Sequence, residues 1–192
     1  LVVIRRCNLS CTYCNEFDQS SDPVDLETLK ARARKLKELG AYSVNLTGGE
    51  PTMHPGLPEL IRYCRHELKF LNTSMITNGF YLKKELIETL NEAGLQAMQI
   101  SIDGVKPNDV TVKVLDSLRK RLGDLKEYAK FEVVVSGVIG SCPPEETFEV
   151  IQFAKDNGFK PRVLIIHDQD GPPFTQSVEA FISGLRWQSR HH

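Results

Sequence analysis

Three cysteines stand close together near the start of the chain, in the stretch CNLSCTYC at positions 7 to 14. They are Cys7, Cys11 and Cys14. The C-x3-C-x2-C spacing brings three thiolates around a common centre, and soft sulfur ligands suit an iron-sulfur cluster or zinc. A structural zinc site usually takes four ligands. No fourth ligand is evident, and three ligands on a four-iron cluster leave one iron open to a second molecule.

The remaining two of the five cysteines offer no obvious fourth ligand. Cys64 lies beside Leu60, Ile61 and Leu68 on the apolar face of a predicted helix, and Cys142 follows the fifth predicted strand. A loop thiol is the ordinary role for Cys142, with hydrogen donation at the ligand face as the alternative. A zinc loop, or three thiols without metal, remains the alternative for the cluster of three.

The composition does not exclude nucleic-acid or membrane partners, but it gives no support for them. The 24 basic and 25 acidic side chains nearly cancel, so no strong field draws the chain to nucleic acid or to an anionic membrane. No stretch approaches the roughly 20 apolar residues of a membrane helix. An odd cysteine count without paired spacings argues against a disulfide framework. We therefore expect a cytoplasmic protein with no nucleic-acid or membrane partner.

Apolar strand patterns alternate with helical patterns along the whole chain. Such alternation predicts an α/β fold of parallel strands joined by crossover helices. Asp22 and Pro23 are expected to begin the first helix, and Gly40 to close it. The predicted strands are residues 1–5, 42–46, 71–77, 97–102, 131–139 and 162–166, and the predicted helices are residues 22–40, 57–68, 82–93, a long helix from about 114, and 144–157.

The predicted strand exits carry most of the polar and glycine-rich sequence. After the cysteine segment they read TGGEP, TNGF, SIDG, SGVIGSCPP and HDQDG. Turn formation explains each exit taken singly. Because the carboxyl ends of parallel strands meet on one face, their convergence predicts a ligand site there. His167 and Asp168 close the sixth strand, where a proton donor or substrate anchor would be well placed.

The cysteine segment, with an aromatic residue just before its third cysteine, is followed one βα unit later by GGEP. In this combination the sequence resembles the radical S-adenosylmethionine enzyme superfamily. The resemblance covers nearly the whole chain and implies a partial (β/α)6 TIM-like barrel. We expect residues 1–174 to form this barrel and residues 175–192 a C-terminal helix or tail.

The resemblance implies two cofactors, a [4Fe-4S] cluster on the three cysteines and S-adenosylmethionine on its open iron. Reductive cleavage of S-adenosylmethionine would give methionine and a 5'-deoxyadenosyl radical that abstracts hydrogen from a substrate. Tyr13 is expected near the adenine, and the backbone and carboxylate of GGEP near the methionine ammonium. The positions that the resemblance assigns to cofactor binding are Tyr13, Gly48, Gly49, Glu50, Pro51, Thr77, Asn78, Ser101 and Asp103, with Ser136 and Ile139 added on the fifth strand.

The substrate does not follow from these motifs. No cysteine follows Cys142, which disfavours a multi-cluster peptide maturase and a molybdenum-cofactor type cyclase, and favours a small-molecule substrate. A stand-alone peptide-modifying enzyme and a glycyl-radical activase would share every motif named above. A non-catalytic iron-sulfur or zinc protein is the alternative outside enzymes. An enzyme of this kind is expected to need an electron donor such as flavodoxin or ferredoxin.

Overall fold

Six strands of the described residues pair in parallel and in chain order into one sheet. The structure is a computed structural model, and it describes residues 1–14 and 18–165. The predictions for His167, Asp168 and residues 175–192 lie outside the described residues. The strands are β1 (Val2–Ile4), β2 (Ser43–Gly48), β3 (Asn72–Thr77), β4 (Ala97–Ile102), β5 (Glu132–Ile139) and β6 (Lys160–Ile165).

Five α-helices cross between these strands, as the alternation predicted. They are α1 (Leu26–Glu38), α2 (Leu57–Arg62), α3 (Lys84–Ala93), α4 (Leu115–Tyr128) and α5 (Pro144–Asp156). A short 3-10 turn, Pro51–Met53, precedes α2, and a π-helical turn, Tyr63–Glu67, continues it. The predicted α/β class and parallel strands are thereby confirmed, and the open six-stranded sheet is consistent with a partial TIM-like barrel.

The first helix begins later than the sequence suggested. Asp25, and not Asp22, is the N-cap, because its carboxylate accepts a hydrogen bond from the Thr28 N–H at 3.0 Å. Pro23 consequently precedes the helix and does not occupy its first turn. The predicted stop of α3 is confirmed, since Gly94 caps it in the left-handed conformation with φ of 88°.

The two faces of the sheet differ in chemistry. Side chains that face the helices are apolar and buried, among them Leu46, Met75 and Ile100. The alternating positions Thr47 and Ile76 instead line a cavity at the carboxyl ends of the strands. This alternation places the core between sheet and helices and leaves the other face for a ligand.

The exit of β2 approaches β1 closely, and this approach explains the two glycines of GGEP. Gly49 donates its N–H to the carbonyl of Ile4 at 2.8 Å, and Glu50 donates to Arg6 at 3.0 Å. A Cβ at Gly49 would lie 2.2 Å from the Arg5 carbonyl oxygen. Glycine is therefore required here by the neighbouring backbone, independently of any ligand.

The carboxylate of Glu50 joins the exits of β2 and β3. It is fully buried, at 0% exposure. Its oxygens accept hydrogen bonds from the Thr77 hydroxyl at 2.6 Å and the Asn78 N–H at 2.7 Å, and from the N–H and hydroxyl of Thr52. Burial raises the pKa of Glu50, while these donors act in the opposite direction.

Replacing Gly49 by alanine is expected to destabilise the protein. The added methyl group would collide with the carbonyl oxygens of Arg5 and Arg6, and overpacking of this kind costs about 2 kcal/mol or more. Urea unfolding of the metal-free protein measures the loss. Gly123→Ala is the matched control, because a Cβ at that position on α4 meets nothing within 4 Å. The control should gain up to about 1 kcal/mol, and equal effects at both positions would contradict this explanation.

Glu50→Gln is expected to destabilise the metal-free protein by about 2 to 4 kcal/mol. The amide group would direct its own N–H groups at positions where the protein already supplies donors. Thermal or urea unfolding measures the change. Glu92→Gln, an exposed position on α3, should leave stability within about 0.5 kcal/mol of the original protein. A Glu50→Gln protein as stable as that control would show that the four hydrogen bonds contribute little.

Candidate active site

A cavity opens at the carboxyl ends of β2, β3 and β4. All three clustered cysteines contribute to its wall, together with both glycines of GGEP. The lining residues are Cys7, Leu9, Cys11, Tyr13, Cys14, Thr47, Gly48, Gly49, Ile76, Thr77, Asn78, Ser101 and Lys113.

The Cys7 sulfur faces two hydrogen-bond donors. The Leu9 N–H points to it at 3.4 Å and the Asn78 side-chain amide at 3.7 Å. The same Asn78 amide also donates to the Asn8 side-chain oxygen at 2.8 Å. Burial raises the pKa of the Cys7 thiol, and both donors oppose that rise by favouring the thiolate. The exit of β3 thus supports the first cysteine directly.

Cys11 and Cys14 lie in a segment held mainly by residues far away in sequence. The Cys14 N–H donates to the Cys11 carbonyl at 3.0 Å. The Cys11 sulfur lies 3.6 Å from the Thr111 hydroxyl, and the Thr12 N–H donates to the Val110 carbonyl at 3.3 Å. The connection between β4 and α4 therefore packs directly against this segment.

Tyr13 is anchored between two charged side chains of that connection. Its hydroxyl donates to Asp103 Oδ2 at 2.6 Å and accepts from Lys113 Nζ at 2.7 Å. Burial, followed by the negative charge of Asp103, raises the pKa of Tyr13 well above its ordinary value. The phenol therefore keeps its proton and remains a donor.

The donor set is chemically suitable for an iron-sulfur cluster. Such clusters are held by cysteine thiolates, and Cys7, Cys11 and Cys14 line the same cavity. A structural zinc ion usually takes four ligands. Among residues 1–14 and 18–165, no three His, Cys, Asp or Glu side chains are grouped as a site for a single metal ion.

The GGEP and β3 residues divide between the cavity and the protein interior. Gly48 and Gly49 line the cavity with their backbone, as do Thr77 and Asn78. The Glu50 side chain does not line it, because the protein itself occupies both carboxylate oxygens. Pro51 is buried at the first position of the 3-10 turn and does not line the cavity either.

The candidate binding residues on β4 and β5 also differ in whether they line the cavity. Ser101 lines the cavity. Ser136 pairs with Ser101 in the sheet, is fully buried, and has no hydrogen-bond partner for its hydroxyl within the described chain. Ile139 shares the face of Gly137, whose Cβ position points at Thr147 of α5. The strand register therefore directs Ile139 toward the helix and away from the cavity.

Cys64, Cys142 and His54 do not line the cavity, and each has ordinary structural surroundings. Cys64 is fully buried, and burial raises its pKa to about 11. Cys142 is absent from the cavity wall, and its sulfur lies 3.5 Å from the Thr147 hydroxyl. His54 is buried at the entry to α2, where one ring nitrogen pairs with the Val24 carbonyl at 2.8 Å and the other accepts from the Gly56 N–H.

Sequence reasoning missed Lys113, Thr111 and the loop residues Asn8 and Leu9. No pattern marks Lys113 or Thr111, since both precede α4 in a stretch without periodicity. Thr47 and Ile76 had a usable signal. They alternate with buried apolar residues on β2 and β3, so their side chains face the ligand side of the sheet.

The described helices include none that is long and apolar enough to cross a membrane.

Comparison with known proteins identifies the family. The model of the Radical SAM superfamily matches residues 1–168. A probable GTP 3',8-cyclase of Sulfolobus acidocaldarius is 31% identical, covering 82% of this chain and 51% of the relative. A GTP 3',8-cyclase of Helicobacter pylori is also 31% identical, covering 84% of this chain and 53% of the relative.

The fold recurs in a solved structure. SuiB of Streptococcus suis, bound to S-adenosylmethionine, superposes with a TM-score of 0.73 at 18% identity, covering 98% of this chain and 44% of that one. At this identity the likeness concerns the fold alone. The chain spans about half the length of the curated relatives it matches. With the family match over residues 1–168, the chain belongs to the Radical SAM superfamily.

Proposed function

We propose that this chain holds a [4Fe-4S] cluster and S-adenosylmethionine, and that the enzyme abstracts hydrogen from a small-molecule substrate. The observation that carries the proposal is the single cavity that Cys7, Cys11 and Cys14 line together with the backbone of Gly48 and Gly49. When bound, the cluster and S-adenosylmethionine supply reductive carbon-sulfur cleavage and a carbon-centred radical. The residues of the chain bind and orient these groups.

The three thiolates would hold the cluster, with the sulfur of Cys7 the best supported electrostatically. N–H donors at 3.4 Å and 3.7 Å favour its charged form. Asn78 supplies one of these donors and also binds Asn8, so it fixes the start of the cysteine segment to β3.

The backbone of Gly48 and Gly49 is the better candidate for the methionine ammonium. Both residues line the cavity, and carbonyl oxygens are suitable acceptors for an ammonium group. The Glu50 carboxylate is enclosed by protein donors and fully buried. Its contribution is then to hold the GGEP turn in place, with its negative charge acting at longer range.

Ser101 and Thr77 complete the polar wall. Thr77 uses its hydroxyl proton for Glu50 and accepts from the Gly79 N–H at 3.0 Å, so its orientation is fixed. Ser101 lines the cavity from β4 and offers a hydroxyl to the ribose or the methionine carboxylate. Tyr13 lines the cavity and is the proposed adenine contact, with its hydroxyl held by Asp103 and Lys113.

A purine nucleotide is the first substrate to test. The support is the 31% identity to GTP 3',8-cyclases over more than four fifths of this chain. The expectation against a molybdenum-cofactor type cyclase relied on the lack of cysteines after Cys142. It carries no weight, because the chain spans about half the length of these relatives. Reduction of the cluster requires a one-electron donor, for which flavodoxin or ferredoxin is the proposed partner.

The protein reconstituted anaerobically with iron and sulfide, then reduced and given S-adenosylmethionine, is expected to form 5'-deoxyadenosine and methionine. Cys11→Ala should lower both products at least a hundredfold, because a cluster with two protein ligands is not held. Mass spectrometry measures the products, and iron analysis measures the cluster. Cys142→Ala is the matched control, since its thiol lies outside the cavity wall and should be dispensable.

Deuterated GTP tests the substrate in the same assay. Transfer of deuterium into 5'-deoxyadenosine would identify GTP as a hydrogen donor. Cleavage of S-adenosylmethionine without such transfer would exclude GTP while leaving the reaction class intact. Protein that holds four irons but forms no 5'-deoxyadenosine under any of these conditions would contradict the proposal.

A further inference from the structure

Lys113 lies in the cavity wall, and its side chain is largely enclosed by other residues of the protein. Its side chain is 12% exposed and that of Asp103 is fully buried. The two form an ion pair, with Lys113 Nζ 3.4 Å from Asp103 Oδ1. The three side chains, Tyr13, Asp103 and Lys113, are called here the Tyr-Asp-Lys lock.

Lys113 is essential to the charge balance of the lock. The Oδ1 atom of Asp103 is buried and has no hydrogen-bond partner in the described residues, so the ammonium of Lys113 is the group that compensates it. An uncompensated buried carboxylate is very unfavourable. Because Lys113 also donates to the Tyr13 hydroxyl at 2.7 Å, neutralising Asp103 and orienting Tyr13 are done by the same atom.

The segment that carries Lys113 is itself held by hydrogen bonds to other parts of the fold. The Ser141 hydroxyl donates to the Asp103 carbonyl at 2.8 Å, and the Asp103 N–H donates to the Lys113 carbonyl at 2.8 Å. Glu146 of α5 accepts from the Val105 N–H at 2.5 Å. The connection between β4 and α4 is thereby tied to β5 and α5, and it provides a firm support for the lock.

Tyr13 sits between Cys11 and Cys14, so the lock acts on the segment of these two cysteines. That segment has no helix or strand of its own. We propose that Lys113 is a positioning residue that, through Tyr13 and Asp103, holds Cys11 and Cys14 in the arrangement that receives the cluster. The inference rests on the proposed function of these cysteines as cluster ligands.

The test compares substitutions that open the lock in different ways. Lys113→Met removes the cation, and Tyr13→Phe removes the hydroxyl while keeping the ion pair. Lys113→Met combined with Asp103→Asn removes both charges and so avoids an unpaired buried carboxylate. Lys113→Arg retains the cation. Lys30→Met is the matched control, because Lys30 also pairs with carboxylates, those of Glu27 and Glu59, but outside the cavity.

Three measurements separate positioning from general stability. They are the thermal unfolding of each metal-free protein, the rate at which the reconstituted protein loses iron to a chelator, and the electron paramagnetic resonance spectrum of the reduced cluster. Lys113→Met and Tyr13→Phe should each speed iron loss roughly tenfold, the loss expected for one charge-assisted hydrogen bond. Lys113→Arg keeps the cation, so its rate of iron loss should stay close to that of the original protein. Lys30→Met should change neither the rate of iron loss nor the spectrum.

The outcomes are distinct. Faster iron loss and an altered spectrum in Tyr13→Phe, with metal-free stability close to that of the original protein, would support the lock. Combining Lys113→Met with Tyr13→Phe should then add little to either change alone. Iron loss at the original rate in both single variants would overturn the inference. If the unaltered protein binds no cluster at all, the proposed function fails, and the inference fails with it.

Discussion

The buried carboxylate of Glu50 is the interaction on which the candidate site depends, because it fixes the exits of two neighbouring strands relative to each other. Thr77 and Asn78 donate to it from β3, while the carboxylate itself belongs to the exit of β2. A carboxylate at this depth is tolerated only while its donors stay in place. Asn78 extends this constraint to the cysteine segment, since its side-chain amide donates to Asn8 and to the Cys7 sulfur. One satisfied charge therefore aligns the GGEP turn, the end of β3 and the first cysteine.

The sequence was sufficient for the order and type of the elements, because their apolar periods are strong. It did not locate the N-cap of α1, which was expected at Asp22. Asp22 and Asp25 both precede the first apolar repeat, and only the position of the Thr28 N–H selects Asp25. The helix after GGEP was expected to run to residue 68, and helical hydrogen bonding does continue to residue 67, but Tyr63–Glu67 adopts the π pattern. Periodicity predicts that a helix is present, whereas it carries no information on that change of hydrogen bonding.

At the site, residue type and spacing predicted which residues take part, but not which way each side chain points. The three cysteines were found from spacing alone, and each lines the cavity. The resemblance implied that the Glu50 carboxylate lies near the methionine ammonium, yet its oxygens point at Thr52, Thr77 and Asn78. For Ile139 the strand register decided the face. Lys113 and Thr111 were missed because each meets its partner across 100 positions, a distance at which no local pattern operates.

These long separations explain how the cysteine segment is ordered. Between Cys7 and Cys14 the chain forms one local backbone bond, from Cys14 to Cys11, in a stretch without regular secondary structure. Ordering each residue of such a stretch costs roughly 1 to 2 kcal/mol. The segment must therefore be held by others: Asp18 accepts from the Cys7 N–H at 2.9 Å, Val110 accepts from Thr12, and the lock binds Tyr13. Whatever these contacts order does not have to be ordered by the cluster that we propose. By binding Cys7 through β3 and Tyr13 through the connection between β4 and α4, the fold thus meets part of that entropic cost before the proposed cluster binds.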